Sequence, residues 1–490
     1  MTIKIKYITL ALANICLPLL ANAATTTIAV PKQTTFLTQT VQNSVTKQFG
    51  TYLNPFLANS PWNSRPIDPV LGTFEIPKSS YFPSISGGAY STGAFLAQET
   101  DAPMVVYPRD GQKGVWNPDA EAFQPSVTIP HWPKNTLPAT GSDGHADIID
   151  EKAGVIHSFW QLKQLNGKWT AQLYSWAPLN GRGFADPAHY YQGARAVGIP
   201  ASAGIIRKHE VDDGKAVYEH ALALSLTHNA LAPNPSYVYP ATSADGDAAK
   251  TNSGNIPEGA LLMLPNSYDS SKIASPALRK VVETLKKYGA YVVDRNYGTP
   301  FVIYVENGST FKMSNLAWDN AVAAELDRIR GSLRQVVSAR SWVEGNGLPT
   351  NSPLVAPNDL NVFSMRGTWT KNSGEANATG AFDTMSQSLV FSKTEKFRTV
   401  MTNYSNRELA GVTWAKRIPG TTQKFTVHAT GGAQLQMKVY SGGKLAFDSN
   451  TIYDKGSVSF VWPVDAVLVL VGTSGIGQTS SVRADLVSVQ

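Results

Sequence analysis

Asn166-Gly167 lies between two runs in which polar and apolar side chains alternate. This dipeptide is typical of the two-residue turn that joins the strands of a β-hairpin. The register that such a turn fixes places His157 opposite Trp176, nine residues from the turn on either side. Whatever else the chain forms, it therefore has to build a β-sheet around this hairpin.

The two faces of the predicted hairpin differ in character. The face that carries Ile156, Leu162 and Trp169 is plainly the core face. The opposite face mixes aromatic rings with polar groups and consists of His157, Phe159, Gln161, Lys163, Thr170, Gln172, Tyr174 and Trp176. Flat rings beside hydrogen-bonding groups suit sugars, so we interpret this face as a sugar-binding platform. The alternative is that another element of the same domain covers it.

Short alternating runs recur along the chain and predict a mainly β fold. We expect an N-terminal β-rich, jelly-roll-like domain at residues 46–343. A few helices interrupt it, one beginning at Ser275-Pro276 and a second covering 315–338. A linker follows at 344–359. The turn-separated runs after it predict an antiparallel β-sandwich at 360–490, which would serve as an accessory, carbohydrate-binding-like domain.

The first residues have the pattern of a secretory signal. Lys4 and Lys6 precede a short apolar stretch, and Ala21-Asn22-Ala23 fits a cleavage site, so we expect residues 1–23 to be removed. A Thr-rich arm follows at 24–45. The single cysteine lies inside the signal, which leaves the exported chain without a disulfide or a thiolate nucleophile. These features predict a secreted bacterial protein, extracellular or periplasmic.

Charge and motifs exclude several functions. The formal net charge is +6 and falls by two when the signal leaves, which is too little for a nucleic-acid-binding protein but compatible with an acidic polysaccharide. The sequence has no GxSxG elbow and no phosphate-binding loop. His209-Glu210 lacks the second histidine of a zinc-protease helix. We expect no metal, no cofactor, no nucleic acid and no membrane span after signal cleavage.

Side chains suited to acid–base chemistry are concentrated in one region, because seven of the eight histidines lie between His131 and His228. Asp143, His145 and Asp147 enter the hairpin sheet from upstream. The turn between this segment and the hairpin decides which face His145 and Asp147 occupy. If the turn has an odd number of residues, they lie on the aromatic face, and if it has an even number, they lie on the core face.

A second group of candidates follows the hairpin. Glu219 and His220 precede a run of alternating side chains. His220 has the same position in the alternation as the leucines of this run, which predicts that it points into the core. Because it lies at the start of the strand, it would instead reach the rim of a cleft if the strand begins there. Tyr190 and Arg195 lie on a Gly-rich loop. The segment 245–247 (DGD) predicts a turn more than a weak cation site.

Residues 141–305 resemble a group of secreted bacterial proteins. The resemblance rests on DGH at 143–145, EHALALSL at 219–226, YPATSADG at 239–246, IPEGALLML at 256–264 and KYGAYVVD at 287–294. It implies export and no particular reaction. More loosely, aromatic-faced strands with an appended sandwich are similar to jelly-roll polysaccharide lyases and glycosidases, a likeness of class that transfers no catalytic residue.

These observations favour a secreted carbohydrate-active enzyme. A β-elimination lyase, which we prefer slightly, would draw its base and its uronate-neutralising groups from His145, His157, Gln161, Tyr174, Tyr190 and Arg195. A glycosidase would draw two carboxylates from Asp143, Asp147, Glu210 and Glu219. The catalytic candidates are Asp143, His145, Asp147, His157, Glu219 and His220, and the substrate-binding candidates are Phe159, Gln161, Gln172, Tyr174, Trp176, Tyr190 and Arg195. The alternative is a non-catalytic glycan-binding or cell-surface adhesion protein.

Overall fold

The computed structural model describes residues 47–371, 380–402 and 412–489. The predicted signal at 1–23 and the Thr-rich arm at 24–45 lie outside these residues. In the described part, strands far outnumber helices, so the mainly β fold class is confirmed.

The N-terminal region, residues 47–350, contains the strands β1 to β18. Their bounds are Arg65–Leu71, Ser84–Ser86, Ala94–Leu96, Met104–Pro108, Val115–Asn117, Ala122–Gln124, Val127–Ile129, Ala146–Asp150, Val155–Trp160, Lys163–Leu165, Lys168–Ala171, Leu173–Pro178, Leu222–Thr227, Leu261–Met263, Ala290–Asn296, Phe301–Tyr304, Arg334–Val343 and Pro349–Thr350.

Three α-helices accompany these strands in the described residues: α1 (Ala248–Thr251), α2 (Pro276–Lys287) and α3 (Asn320–Ser332). The predicted start of α2 is confirmed, since the Ser275 hydroxyl accepts a hydrogen bond from the Leu278 amide at 3.2 Å.

The predicted helix at 315–338 is shorter in the structure. After Leu333 turns extended, β17 begins and pairs with β1 and β14. Sheet pairing, which is invisible to local periodicity, therefore overrides the helical pattern.

The largest sheet of the region has eight strands in the order β1-β17-β14-β15-β13-β16-β2, with β18 beside β17. Alternate side chains of β13 and β15 enter two separate cores: Leu224 and Val292 pack toward α2, whereas Ala223 and Val293 pack on the other face. Parallel pairing joins β13 to β15 and β16 to β2. This mixed pairing differs from the antiparallel pattern of a jelly roll.

Two smaller sheets complete the N-terminal region, a six-stranded sheet (β3-β8-β9-β12-β5-β6) and a four-stranded sheet (β10-β11-β4-β7). The hairpin register is confirmed, because His157 pairs with Trp176 and Lys163 with Thr170. The hairpin is divided between the two sheets at Gln161, which has a positive φ. One face of the six-stranded sheet packs on the four-stranded sheet, and the other packs toward the eight-stranded sheet.

The C-terminal strands form two facing five-stranded sheets, β19-β22-β27-β24-β25 and β20-β21-β28-β23-β26, and every pair within them is antiparallel. They share one apolar core, as in a β-sandwich. The bounds of β19 to β28 are Trp369–Lys371, Gly380–Asp383, Ser388–Phe391, Thr399–Thr402, Thr422–Thr430, Gln434–Ser441, Lys444–Asp448, Ser457–Val461, Val467–Thr473 and Ser480–Ser488.

The sandwich contacts the N-terminal region directly. The Trp176 indole donates to the Thr384 carbonyl at 2.9 Å, and the Trp414 indole donates to the Ala241 carbonyl at 2.6 Å. The Arg366 guanidinium lies 3.9 Å from the centre of the Tyr190 ring.

Gly204 tests how tightly the core under the large sheet is packed. A Cβ atom there would lie 2.1 Å from Cζ3 of Trp62, which is itself buried and stacked on Phe184. Because φ is also positive, we expect Gly204→Ala to lower the free energy of unfolding by about 3–5 kcal/mol in urea titrations. Gly214 has a similar φ with open space around it, so Gly214→Ala should cost about 1 kcal/mol. Equal losses would contradict this account.

Candidate functional site

The aromatic face of the hairpin is buried in the structure. Phe159, Tyr174 and Trp176 lie in the core between the six- and four-stranded sheets, where Trp132 and Trp169 pack against them. His157 is also buried and shares a 2.8 Å hydrogen bond with the Tyr174 hydroxyl. A sugar has no access to these ring faces, so the alternative of a covered face describes the structure.

The strand register places Asp147 on the opposite face of that sheet. Asp147 pairs with Ser158 rather than with a residue of the aromatic face. Its carboxylate accepts hydrogen bonds from the Ser158 hydroxyl and from the Ser202 amide, both at 2.6 Å, and burial raises its pKa. Asp147 therefore holds two segments together inside the protein.

The two glutamines predicted to bind substrate, Gln161 and Gln172, lie at the break between the sheets. Gln161 hydrogen-bonds the Arg109 guanidinium, and the Gln172 amide donates to the Trp160 carbonyl at 3.1 Å.

Glu219 and His220 belong to a separate cluster. Lys215 contacts the Glu219 carboxylate at 2.6 Å, and the His220 ring contacts Glu210 at 3.1 Å. Burial alone would raise the pKa of Glu210, but His220 and a backbone hydrogen bond from Arg207 bring it down to about 2. The cavity next to this cluster is only about 30 Å³, too small for a sugar.

A much larger depression, here called the central cleft, lies between the six- and eight-stranded sheets. It consists of two adjoining cavities of about 520 and 540 Å³ that share Asp143, Asp294, Arg295 and Tyr297. His145 and Tyr190 also line it. The structure thus brings together three of the sequence candidates, and a fourth, Arg195, lies beneath them.

Asp143 and His145 reach the cleft because the turn before β8 is fastened to the break in the hairpin. The Gln161 amide donates to the Asp143 carbonyl at 2.6 Å, and the Leu162 amide donates to the Gly144 carbonyl at 3.1 Å. The Trp160 indole donates to the Asp143 carboxylate at 3.3 Å, which fixes that carboxylate at the cleft wall.

Asp294 reaches the cleft through an irregularity in β15. The register with β13 shifts by one residue, so that Ser225 pairs with Asp294 instead of Val293. Such a bulge redirects the side chains that follow it. Asp294 consequently faces the same side as Val293 and contacts the Arg195 guanidinium at 3.0 Å.

Arg195 is fully enclosed under the cleft. Its side chain is 1% exposed, and its guanidinium lies 4.0 Å from the centre of the Tyr304 ring. It also donates to the Tyr90 carbonyl at 3.1 Å. A charge buried in this way is stable only while its partners stay in place, so Arg195 fixes the position of Asp294.

Several carboxyl groups around the cleft have raised pKa values. Burial raises the pKa of Asp294 to about 7, against the pull of Arg195 and with added repulsion from Asp245 and Asp143. Burial and the charges of Asp245 and Asp294 hold the pKa of Glu258 well above its usual range.

Two buried polar atoms of the cleft residues have no hydrogen-bond partner in the described part of the chain: Nδ1 of His145 and Oδ2 of Asp245. Burial and the nearby Arg195 charge lower the pKa of His145 well below its usual value, so the ring is neutral at physiological pH. An unsatisfied polar atom at a cavity wall costs stability unless a ligand or water binds it.

Sequence reasoning missed Asp294, Arg295 and Tyr297, and predicted Asp245 to lie in a turn. Arg295 contacts Asp247 at 2.7 Å, which ties β15 to the loop before α1. One available signal was the polar residue that ends the apolar strand run 290–293.

Across the described ranges, no group of three or more His, Asp or Glu side chains has an arrangement that could hold a metal ion. None of the described helices has the length and apolar character needed to cross a bilayer.

Comparison with known proteins identifies no family for this chain. No protein family and no curated protein matches the sequence. Among solved structures it is similar to the glycosylation-associated Gap123 complex of Streptococcus agalactiae, at 10% identity and a TM-score of 0.17. That match covers 25% of this chain and 45% of the other, so the chain spans less than half of that structure.

Two carbohydrate-binding proteins are also similar in part. TmCBM61, solved with β-1,4-galactotriose, matches at 11% identity and a TM-score of 0.15, over 21% of this chain and 70% of the other. A carbohydrate-binding module of family 29 matches at 13% identity and a TM-score of 0.14, over 25% and 88%. TM-scores this low do not establish a shared fold.

His157 should make folding sensitive to acid. Burial lowers its pKa from 6.5 to about 4, so the stability linked to its neutral form is complete above pH 6.5 and is lost as the pH falls toward 4. We expect His157→Phe to remove about 3 kcal/mol of that pH-dependent loss, measured by urea unfolding at pH 7 and pH 4. Tyr174→Phe removes the hydrogen bond between Tyr174 and His157 but keeps the histidine. This variant should therefore lose as much unfolding free energy between pH 7 and pH 4 as the wild type. If His157→Phe lost as much unfolding free energy between pH 7 and pH 4 as the wild type, His157 would not be the source of the acid sensitivity.

Proposed function

We propose that the protein binds a carbohydrate chain in the central cleft. The observation that carries the proposal is the combination of aromatic rings and fixed polar groups on one cavity wall. Trp160, Tyr190 and Tyr297 supply rings, while Asp143 and Arg295 supply hydrogen-bonding groups. Sugars offer both an apolar ring face and a rim of hydroxyls, so they match both kinds of group.

The charge of the cleft favours a neutral sugar over a uronate. Three carboxyl groups, Asp143, Asp245 and Asp294, line it, against the single lining guanidinium of Arg295. Arg195 already engages Asp294 and is enclosed. Arg295 contacts Asp247 at 2.7 Å, so its charge is already matched and offers little to a uronate carboxylate, whereas sugar hydroxyls can donate to the carboxyl groups of the wall. Export of the protein rests on the predicted signal at 1–23.

Tyr297 provides the direct test of binding. Its side chain is 78% exposed and lines both cavities, so Tyr297→Ala should weaken affinity for a neutral polysaccharide about tenfold. Affinity electrophoresis in glucan, galactan, mannan and xylan gels measures it on residues 24–490. Tyr453, 61% exposed on the sandwich, supplies the control variant Tyr453→Ala. Unaltered mobility of Tyr297→Ala in every gel that retards the wild type would overturn the cleft assignment.

Hydrolysis of the bound glycan is a second candidate, and it is favoured by two carboxyl groups, Asp143 and Asp294, that line both cavities of the cleft. With a pKa of about 7, the Asp294 carboxyl group can donate a proton to the oxygen of a departing sugar. Asp143, which lines both cavities with it, is available as the base that takes a proton from the attacking water. The glycosidic C–O bond breaks, the C–O bond from water forms, and both protons are accounted for.

The β-elimination alternative finds less support in the cleft. Neutral His145 could accept a proton, but a lyase must also neutralise the uronate carboxylate of its substrate. In this cleft the two nearby guanidinium groups, Arg195 and Arg295, already pair with Asp294 and Asp247. We therefore place hydrolysis ahead of elimination for this cleft.

Asp294→Asn separates cleavage from binding. If Asp294 is the acid, the release of reducing ends should fall about 10²–10⁴-fold while gel retardation persists. Asp110→Asn alters an exposed carboxylate and should leave the rate unchanged. Asparagine keeps the shape of the side chain but leaves the Arg195 charge uncompensated, so urea unfolding must show that both variants are folded at the assay temperature, and retained gel retardation shows that the cleft is intact. A full rate in Asp294→Asn would exclude this residue as the acid, and binding without any new reducing ends in the wild type would restrict the cleft to recognition.

A further inference from the structure

Four large aromatic side chains lie exposed next to the central cleft. They are Tyr297 (78% exposed), Tyr81 (68%), Trp318 (58%) and Phe82 (50%), and they are called the aromatic strip here. Single exposed rings are ordinary on protein surfaces, but adjacent ones mark interaction sites.

Backbone contacts and one ring pair link the members of the strip. The Tyr81 amide donates to the Gly298 carbonyl at 2.8 Å, which places Tyr81 beside Tyr297. A Cβ atom at Gly298 would lie 2.9 Å from the Tyr81 ring, so this ring rests directly on the turn backbone. Phe82 follows in sequence, and its ring centre lies 5.4 Å from that of Trp318.

The two ends of the strip are held in place. The Trp318 indole donates to the Asn320 side chain at 2.7 Å, just before α3. At the other end the Arg295 guanidinium donates to the Tyr297 hydroxyl at 3.3 Å. Rings held in this way lose little conformational entropy when a ligand stacks on them.

We propose that a glycan bound in the central cleft continues outward over the aromatic strip, so that the ligand is a polymer and not a short oligosaccharide. This inference rests on the proposed function. Its basis is that Tyr297 belongs both to the cleft wall and to the strip, so a chain leaving the cleft at Tyr297 meets Tyr81 next. Aromatic faces accept successive sugar rings without requiring a particular hydroxyl pattern.

The experiment compares chain lengths. Affinities of residues 24–490 for the trisaccharide and the dodecasaccharide of β-1,4-glucan and of β-1,4-galactan are measured by calorimetry. The wild type should bind the longer chain about tenfold more tightly. The double variant Tyr81→Ala/Trp318→Ala should lose that advantage and keep the trisaccharide affinity, and Tyr453→Ala should match the wild type.

Each contrary result has a definite meaning. Trisaccharide binding with no gain from chain length overturns the strip proposal and leaves the cleft proposal standing. Absence of binding to both series contradicts the cleft and the strip together. Sedimentation that shows a wild-type dimer dissociated by Trp318→Ala would assign the strip to a second copy of the chain and overturn the glycan proposal.

Discussion

The buried contact between Arg195 and Asp294 is the interaction on which the central cleft depends. Arg195 belongs to the loop after β12, Asp294 to β15 of the eight-stranded sheet, and the Tyr90 carbonyl to a turn before β3, so the guanidinium joins three distant segments. Removing either member of a buried ion pair leaves an uncompensated charge, which costs roughly 3–5 kcal/mol. The loop therefore has to dock in one position, and the cleft floor is fixed with it.

This buried cation also sets the electrostatics above it. Burial lowers the pKa of His145, and the Arg195 charge lowers it further; the same charge moderates the rise in the pKa of Asp294. Asp143 and Asp245 act in the opposite direction, because each adds negative charge beside Asp294. At the cleft floor, burial therefore raises the pKa of Asp294, while the charges around it act on that pKa in opposite directions.

The sequence predicted the features that local chemistry determines. The Asn166-Gly167 turn specified the hairpin register, and Ser275 specified the start of α2. What covers the aromatic face could not be predicted, because β4 and β7 lie far from the hairpin in sequence. The same limit applied to Asp294, whose direction follows from a bulge against β13 and not from the alternation of its own strand. Candidates chosen by clustering in sequence were therefore divided between the cleft, the core and the Glu210 cluster.

Asp294 lowers the stability of the fold at neutral pH and above. A carboxyl group whose pKa is raised on folding contributes its stability at low pH and loses it as the pH rises through about 7. An asparagine would fill the same volume without that loss, although it would not neutralise Arg195. A purely structural need for neutralisation would be met best by a carboxylate that is ionised at all physiological pH values, as Glu210 is beside His220. Burial keeps Asp294 out of that state, because it raises the pKa of the carboxyl group to about 7, and the charges of Asp245 and Asp143 add to the rise.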